Sequence, residues 1–234
     1  ADGKEQLAEG EKTLADSKEQ LADAQVMGNE QLNEAYRQLV EGQAKYDAGL
    51  AAYTAANSVY TQINAKFQTI REPYDVFVAN YQRTRAEADE FKSKVDKLNQ
   101  LIVAYREAPD DQKDAAWAAV EAQYASIRDE YGTLVDLYAV LGPSATEIAE
   151  ALGLSLPFED LPLMPEEITP ENADAVVSEL LVVANAIEAP LNRIRDASIT
   201  VGDYTVSLLD IPGGLERVRS TLASTKATLD SSKA

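Results

Sequence analysis

Neither cysteine nor histidine occurs among the 234 residues. Without cysteine the chain can form no disulfide and no thiolate metal site. Without histidine it lacks the commonest general base and the commonest metal ligand. Glycine numbers 11 and proline 9, so most of the chain is free of helix breakers, and its load of alanine, glutamate, leucine and glutamine favours helix. No apolar run approaches the roughly 18 residues that a membrane-spanning helix needs, and no signal-peptide pattern opens at Ala1.

Base is scarce as well. The chain has 21 Lys and Arg against 40 Asp and Glu, a net charge of −19. The excess is concentrated: residues 107–190 carry 18 acids against only Lys113 and Arg128, or −16. Such a chain is repelled by nucleic acid and by anionic membrane surfaces, which excludes a nucleic-acid role.

What is present is a heptad. Leucines recur at Leu7, Leu14 and Leu21, then in a new register at Leu32, Leu39, Tyr46, Tyr53, Tyr60 and Phe67. The jump from Leu21 to Leu32 is a heptad plus four, a stutter. Three residues after each large residue stands a smaller companion: Gly10, Ser17 and Ala24, then Ala35, Gly42 and Gly49. Large and small residues thus alternate on one seam, as in a coiled coil. Glycine inside a helix costs about 1 kcal/mol relative to alanine. On this seam it reads as an interface position that lets a second helix approach closely; the alternative is that it softens a long stalk. The last 20 residues repeat the theme with Leu215, Leu222 and Leu229 and their companions Val218, Thr225 and Ser232, after a break at Gly213-Gly214. So narrow a stripe leaves an isolated helix marginal in water. The reading therefore pairs residues 1–21 antiparallel with 214–234, through Leu7, Gly10, Leu14 and Leu21 against Leu215, Val218, Leu222 and Leu229. Both seams are in phase at the chain ends, which suggests a coil continuing beyond Ala1 and Ala234.

The heptad phase runs past Pro73 through Tyr74, Phe77, Tyr81, Thr84, Ala88, Phe91, Val95, Leu98 and Ile102. No Gly, Asn or Ser lies between Gln68 and Tyr74 to make a turn, so a kinked continuous helix is favoured over a hairpin at Pro73. The first firm turn is Ala108-Pro109-Asp110-Asp111. A further stripe, Trp117, Val120, Tyr124, Ile127, Tyr131, Leu134, Tyr138 and Leu141, is expected to stop at Gly142-Pro143, with a short helix over 144–152 ending at Gly153. "SLPFEDLPLMPEEITPE" has four prolines in 17 residues and cannot be a regular helix. Its leucines and Phe158 suit a strap lying on a helical surface. Helix resumes near Pro170 with Val177, Leu180, Ala184, Ile187, Leu191 and Ile194, kinked at Pro190. Residues 198–209, "SITVGDYTVSLL", fit a hairpin turning at Gly202-Asp203 in type II′ geometry. The fold class is thus mainly α: a coiled-coil stalk of residues 1–27 and 214–234, an elongated helical-bundle head over 28–213 with a Pro-rich strap at 154–170, and one small β-hairpin.

Chemistry is hard to find. No Gly-rich phosphate loop, Gly-x-Ser-x-Gly elbow, Ser-x-x-Lys or EF-hand spacing is present. Among 40 acids, close carboxylates such as Asp110-Asp111 and Glu166-Glu167 arise by chance and read as helix N-terminal charges facing water. The 11 tyrosines fall mostly on the seams and read as core, as does Trp117. The polar faces are acidic or neutral, unlike the basic faces of membrane-surface helices. No catalytic residue, cofactor or metal site is expected.

"GKEQLAEGEKTLADSKEQLADAQ" and "QLVEGQAKYDAGLAAY" resemble the Leu-x-x-Gly heptad arrays in extracytoplasmic regions of Gram-positive membrane proteins. These are the stalked FtsX/MacB-like ABC transporter permeases and the YhgE/Pip (phage infection protein) group. Leu7–Gly10 and Leu39–Gly42 match fully and Tyr46–Gly49 nearly so, whereas Ser17 and Ala24 depart from the glycine. The permease resemblance implies a non-enzymatic extracytoplasmic domain between two membrane helices that are absent from this chain, with ATP hydrolysis on a separate cytoplasmic subunit. The −16 segment then offers a protein partner or a cationic peptide an acidic docking face. Two other classes remain open: a cell-surface binding module such as an adhesin or phage-receptor stalk, and an intracellular coiled-coil scaffold.

Overall fold

The computed structural model describes residues 2–233, apart from the side chains of Asp2 and Glu5. Helix α1 spans Asp2–Glu107, α2 Lys113–Leu152, α3 Ala173–Asp196 and α4 Ile211–Ser232; between α3 and α4 lie strands β1 (Ser198–Val201) and β2 (Tyr204–Ser207). Short 3-10 turns at Asp110–Gln112 and Leu208–Asp210 lead into α2 and α4. The molecule is mainly α with one small antiparallel hairpin, as the sequence predicts. It divides into two compact units, Ala1–Ala55 with Leu222–Ala234, and Ala56–Thr221. The heptad reading divides the chain elsewhere, at 27/28 and 213/214; α1 and α4 run unbroken through those positions, so phase alone marks no boundary there.

In the unit Ala56–Thr221 the core follows the heptad. Phe67, Ile70, Tyr74, Phe77, Tyr81, Thr84, Ala88, Phe91, Val95, Leu98 and Ile102 are all buried. Facing them are Val120, Tyr124, Ile127, Leu134, Tyr138 and Leu141 of α2, and Val177, Leu180, Ala184, Ile187, Leu191 and Ile194 of α3. Helix α1 passes through Pro73 without a break. The carbonyl deprived of its donor by Pro73 belongs to Thr69, an exposed residue, where water can replace the lost bond.

The same physics corrects the expected stop at Gly142-Pro143. Pro143 lies inside α2, which continues to Leu152. The carbonyl it frees is that of exposed Ala139, where water can replace the lost bond. The true stop is Gly153, whose φ of +79° suits glycine and whose N–H caps the carbonyls of Ala149 and Glu150. Helix α3 starts at Ala173, three residues beyond Pro170, and carries Pro190 within it.

The hairpin pairs Ser198 with Ser207 and Val201 with Tyr204, leaving Gly202-Asp203 as a two-residue turn. Gly202 has φ +61° and among the described residues no non-glycine residue, Asp203 included, has a positive φ, which is the type II′ pattern. Ile199, Val201 and Val206 are buried. Val206 sits against Gly214 of α4, where an added Cβ would overlap its side chain. The Tyr74 hydroxyl accepts the N–H of Ile211 at 3.1 Å, satisfying one of the donors that the start of α4 leaves open. These contacts explain why glycine stands at 214.

In the unit Ala1–Ala55 with Leu222–Ala234, the end of α4 lies along residues 38–53 of α1. Leu229 Cδ2 is 3.1 Å from where a Cβ would stand on Gly49, and Leu229, Ser232 and Lys233 line a cleft with Leu39, Gly42 and Tyr46.

Candidate functional site

The terminal pairing expected from the heptads is not formed. Leu7, Leu14 and Leu21 are 65%, 56% and 61% exposed, and nothing lies within 4 Å of a Cβ built on Gly10. Of the eight anticipated interface residues, Leu215, Val218 and Leu222 are buried and Leu229 is half-buried, but their partners differ from those expected. Leu229 meets Gly49, which stands 42 residues further along α1 than Leu7, or roughly 63 Å at 1.5 Å per residue. A heptad seam specifies which face of a helix is apolar; it does not specify which of several equivalent heptads the other helix selects. Here α4 selects the stretch of α1 around Gly49. The leucine seam from Leu7 to Leu32 is left without a second helix among the described residues.

Close approach does govern Gly49 and Gly214, but not Gly10 or Gly42, which have open space at the Cβ position. The single explanation offered for all seam glycines therefore holds for only part of them.

The second candidate surface lies in the unit Ala56–Thr221, where the Pro-rich strap crosses α2. Three tyrosines spaced by seven, Tyr124, Tyr131 and Tyr138, stand on one face of α2. Tyr131 donates its hydroxyl to the carbonyl of Pro162 at 2.5 Å, and Tyr124 donates to that of Pro165. Arg128 Nη1 reaches the carbonyl of Glu166 at 3.3 Å. An extended segment rich in proline offers few N–H groups of its own, so its carbonyls need outside donors, and the tyrosine row supplies them. Tyr138 packs on Phe158, with ring centroids 5.8 Å apart, and donates to the carbonyl of Ile187 in α3. Burial raises the pKa of each of these phenols, so they remain neutral donors. Gly142 lets the Phe158 ring close on α2, since a Cβ there would stand 3.2 Å from it. The tyrosines thus serve as core and tether, as their seam position predicts.

Beyond this contact the strap leaves a groove of about 870 Å³. Its floor on α2 includes Val135, Ala139 and Pro143, and its strap wall includes Phe158, Leu161 and Leu163. Glu147 and Glu150 line the helix side, Glu159 and Asp160 the strap side, and no lysine or arginine lines it. Leu163 is 91% exposed, so its side chain adds almost nothing to the core. Heptad counting marks the tyrosines but could not find this groove, because which strap carbonyls their hydroxyls hold is set by tertiary packing.

One buried polar cluster accompanies the core. Glu130 is buried and pairs with Lys94 at 2.5 Å, while Gln123 Nε2 donates to the carbonyl of Lys94 at 3.0 Å. Burial alone would raise the Glu130 pKa, but Lys94 and Glu87 outweigh it and hold the carboxyl below its ordinary value. Glu87, facing Glu130, is raised because its protonated form donates to the neighbouring carboxylate. Lys94 reaches Oε2 of Glu130, and Oε1 has no hydrogen-bond donor. The cluster has no adjoining nucleophile and lines none of the larger cavities. Among the described residues no group of three or more acidic side chains is arranged to hold a metal ion, and no helix is long and apolar enough to cross a membrane. Comparison with family models, with curated proteins and with solved structures finds no match to this chain.

Proposed function

We propose that this chain is a non-enzymatic stalk and interaction domain of a bacterial membrane transport protein, ABC transporter permease-like, standing on the extracytoplasmic side of the membrane. The observation that carries this reading is the exposed leucine seam from Leu7 to Leu32, which leads through one stutter into the part of α1 that α4 covers. A long helix with a bare apolar stripe is built to hold another helix, and it has no catalytic chemistry to offer. The two membrane-spanning helices of this reading would lie outside the present chain. The Leu-x-x-Gly resemblance points the same way.

The absence of native cysteine makes the location testable. A single cysteine placed at exposed Asp111 in the gene's full-length product should react with a membrane-impermeant maleimide on intact cells. Labelling only after lysis would remove the extracytoplasmic reading and favour an intracellular scaffold. The gene itself should encode apolar segments of about 20 residues on both sides of this chain. An anchor on one side only would favour a second reading, a cell-surface binding module of the adhesin or phage-receptor kind, for which the groove under the strap is the supporting observation.

A further inference from the structure

We infer that the groove between α2 and the Pro-rich strap is a docking site for a cationic amphipathic peptide segment, one that carries an apolar stripe flanked by lysine or arginine. Apolar side chains line it together with four carboxylates, two from α2 and two from the strap. Glu147 and Glu150 are one turn apart on α2, and Glu159-Asp160 lie across from them on the strap. None of the four makes an ion pair among the described residues. The phenols of Tyr131 and Tyr138 on the floor are already committed to backbone carbonyls. What the groove offers is therefore apolar contact together with unpaired negative charge from both α2 and the strap, which is complementary to such a segment.

Charge also decides against other occupants. A second copy would bring its own segment of 18 acids and two bases against this one, and an anionic lipid surface would be repelled for the same reason. Leu163 supplies a separate indication. A leucine so exposed does not stabilise the fold, yet it stands on the groove wall where an incoming apolar side chain would cover it. The inference is independent of where the chain resides in the cell, because its test is made in solution.

The probe is a fluorescently labelled amphipathic peptide of leucine and lysine, about 12 residues long, titrated with the full chain and followed by anisotropy. An isosteric series with glutamate in place of lysine is the counter-probe. The double substitution Glu147→Gln and Glu150→Gln should weaken binding about tenfold, and Leu163→Ser about threefold to tenfold. A net charge of −19 attracts any cation, so the deciding control is Glu171→Gln with Glu179→Gln, which makes the same charge change on exposed residues outside the groove. That control should leave affinity within about twofold at physiological ionic strength, where the field is screened over about 8 Å. Equal weakening by both double variants would reduce the attraction to the general field and overturn the proposal. So would full binding by Leu163→Ser, binding of the glutamate peptide, or no binding of the lysine peptide at about millimolar protein. All the substituted positions are exposed or line the open groove, so circular dichroism should show every variant folded.

Discussion

Replacing Gly214 by alanine sets two effects of known sign against each other. In a helix interior, alanine is better than glycine by about 1 kcal/mol. At this position, however, the new methyl overlaps Val206 Cγ1 and stands 3.1 Å from both its Cβ and Cγ2. Val206 is 1% exposed in the hairpin, so it cannot swing into solvent to make room. Overpacking of this kind costs about 1 to 3 kcal/mol. The net expectation is a loss of up to about 2 kcal/mol, or a fall of roughly 4–8 °C in Tm for a unit of this size. Gly10→Ala makes the same chemical change where no atom lies within 4 Å. There the propensity gain stands alone, but it stabilises a stretch of helix that has no second helix against it. It should leave the main thermal transition unmoved and instead raise amide-exchange protection around residue 10 about fivefold. Calorimetry and hydrogen exchange on the two variants decide the matter. A higher Tm for Gly214→Ala would refute the close approach of Val206, and lower exchange protection in Gly10→Ala would mean that something packs on that seam in solution.

Further outcomes follow from the same geometry. Tyr131→Phe should cost about 1 kcal/mol by leaving the Pro162 carbonyl without its donor, and should speed exchange in the strap while sparing α3; exchange that is unchanged in the strap would show that the tether carries no weight. A thiol cross-linker of short span should join cysteines at 49 and 229 within one chain and fail to join cysteines at 7 and 229, as gel mobility will report. Leu222→Ala should cost about 2–5 kcal/mol because the side chain is buried, whereas Leu14→Ala should stay within about 0.5 kcal/mol in chemical denaturation. The lowered Glu130 pKa contributes stability that is present above the ordinary carboxylate range and lost as pH falls through the folded value; the raised Glu87 pKa acts with the opposite slope. Glu87→Gln provides a permanent donor to Glu130, so its advantage in Tm over the parent should be absent near pH 4 and appear as pH rises toward 7. An advantage greatest in acid would contradict that sign.

The heptad run from Phe67 to Ile102 was legible because its residues are buried, and burial on one face imposes the period. The strap was legible as a strap because proline forbids the helix whatever surrounds it. What could not be read was a choice between equals. Leucine followed by a small residue recurs from residue 7 to 49, so the sequence offers α4 several registers, and the contact of Leu229 with Gly49 is settled by tertiary packing. Gly142-Pro143 misled for a related reason. A proline breaks a helix only if the carbonyl it orphans has nowhere to turn, and exposure of Ala139 is a property of the folded chain. The groove was invisible for want of any pattern, since it is the space left over when three tyrosines fix the path of the strap.

The bond from Ile211 to Tyr74 closes a loop of 137 residues. During synthesis the first part of α1 emerges long before α4 exists, whereas α2, the strap and α3 are neighbours in sequence and can assemble as they appear. Contacts across so large a separation are made late, because the entropy of closing the loop must be met before they return anything. Until α4 is in place, then, the stretch of α1 that it will cover presents an apolar stripe to whatever is nearby. Deleting α4 should leave a polypeptide that still makes the α2–strap–α3 contacts yet bares the stretch of α1 around Gly49, so α4 acts as a shield for that part of the long helix.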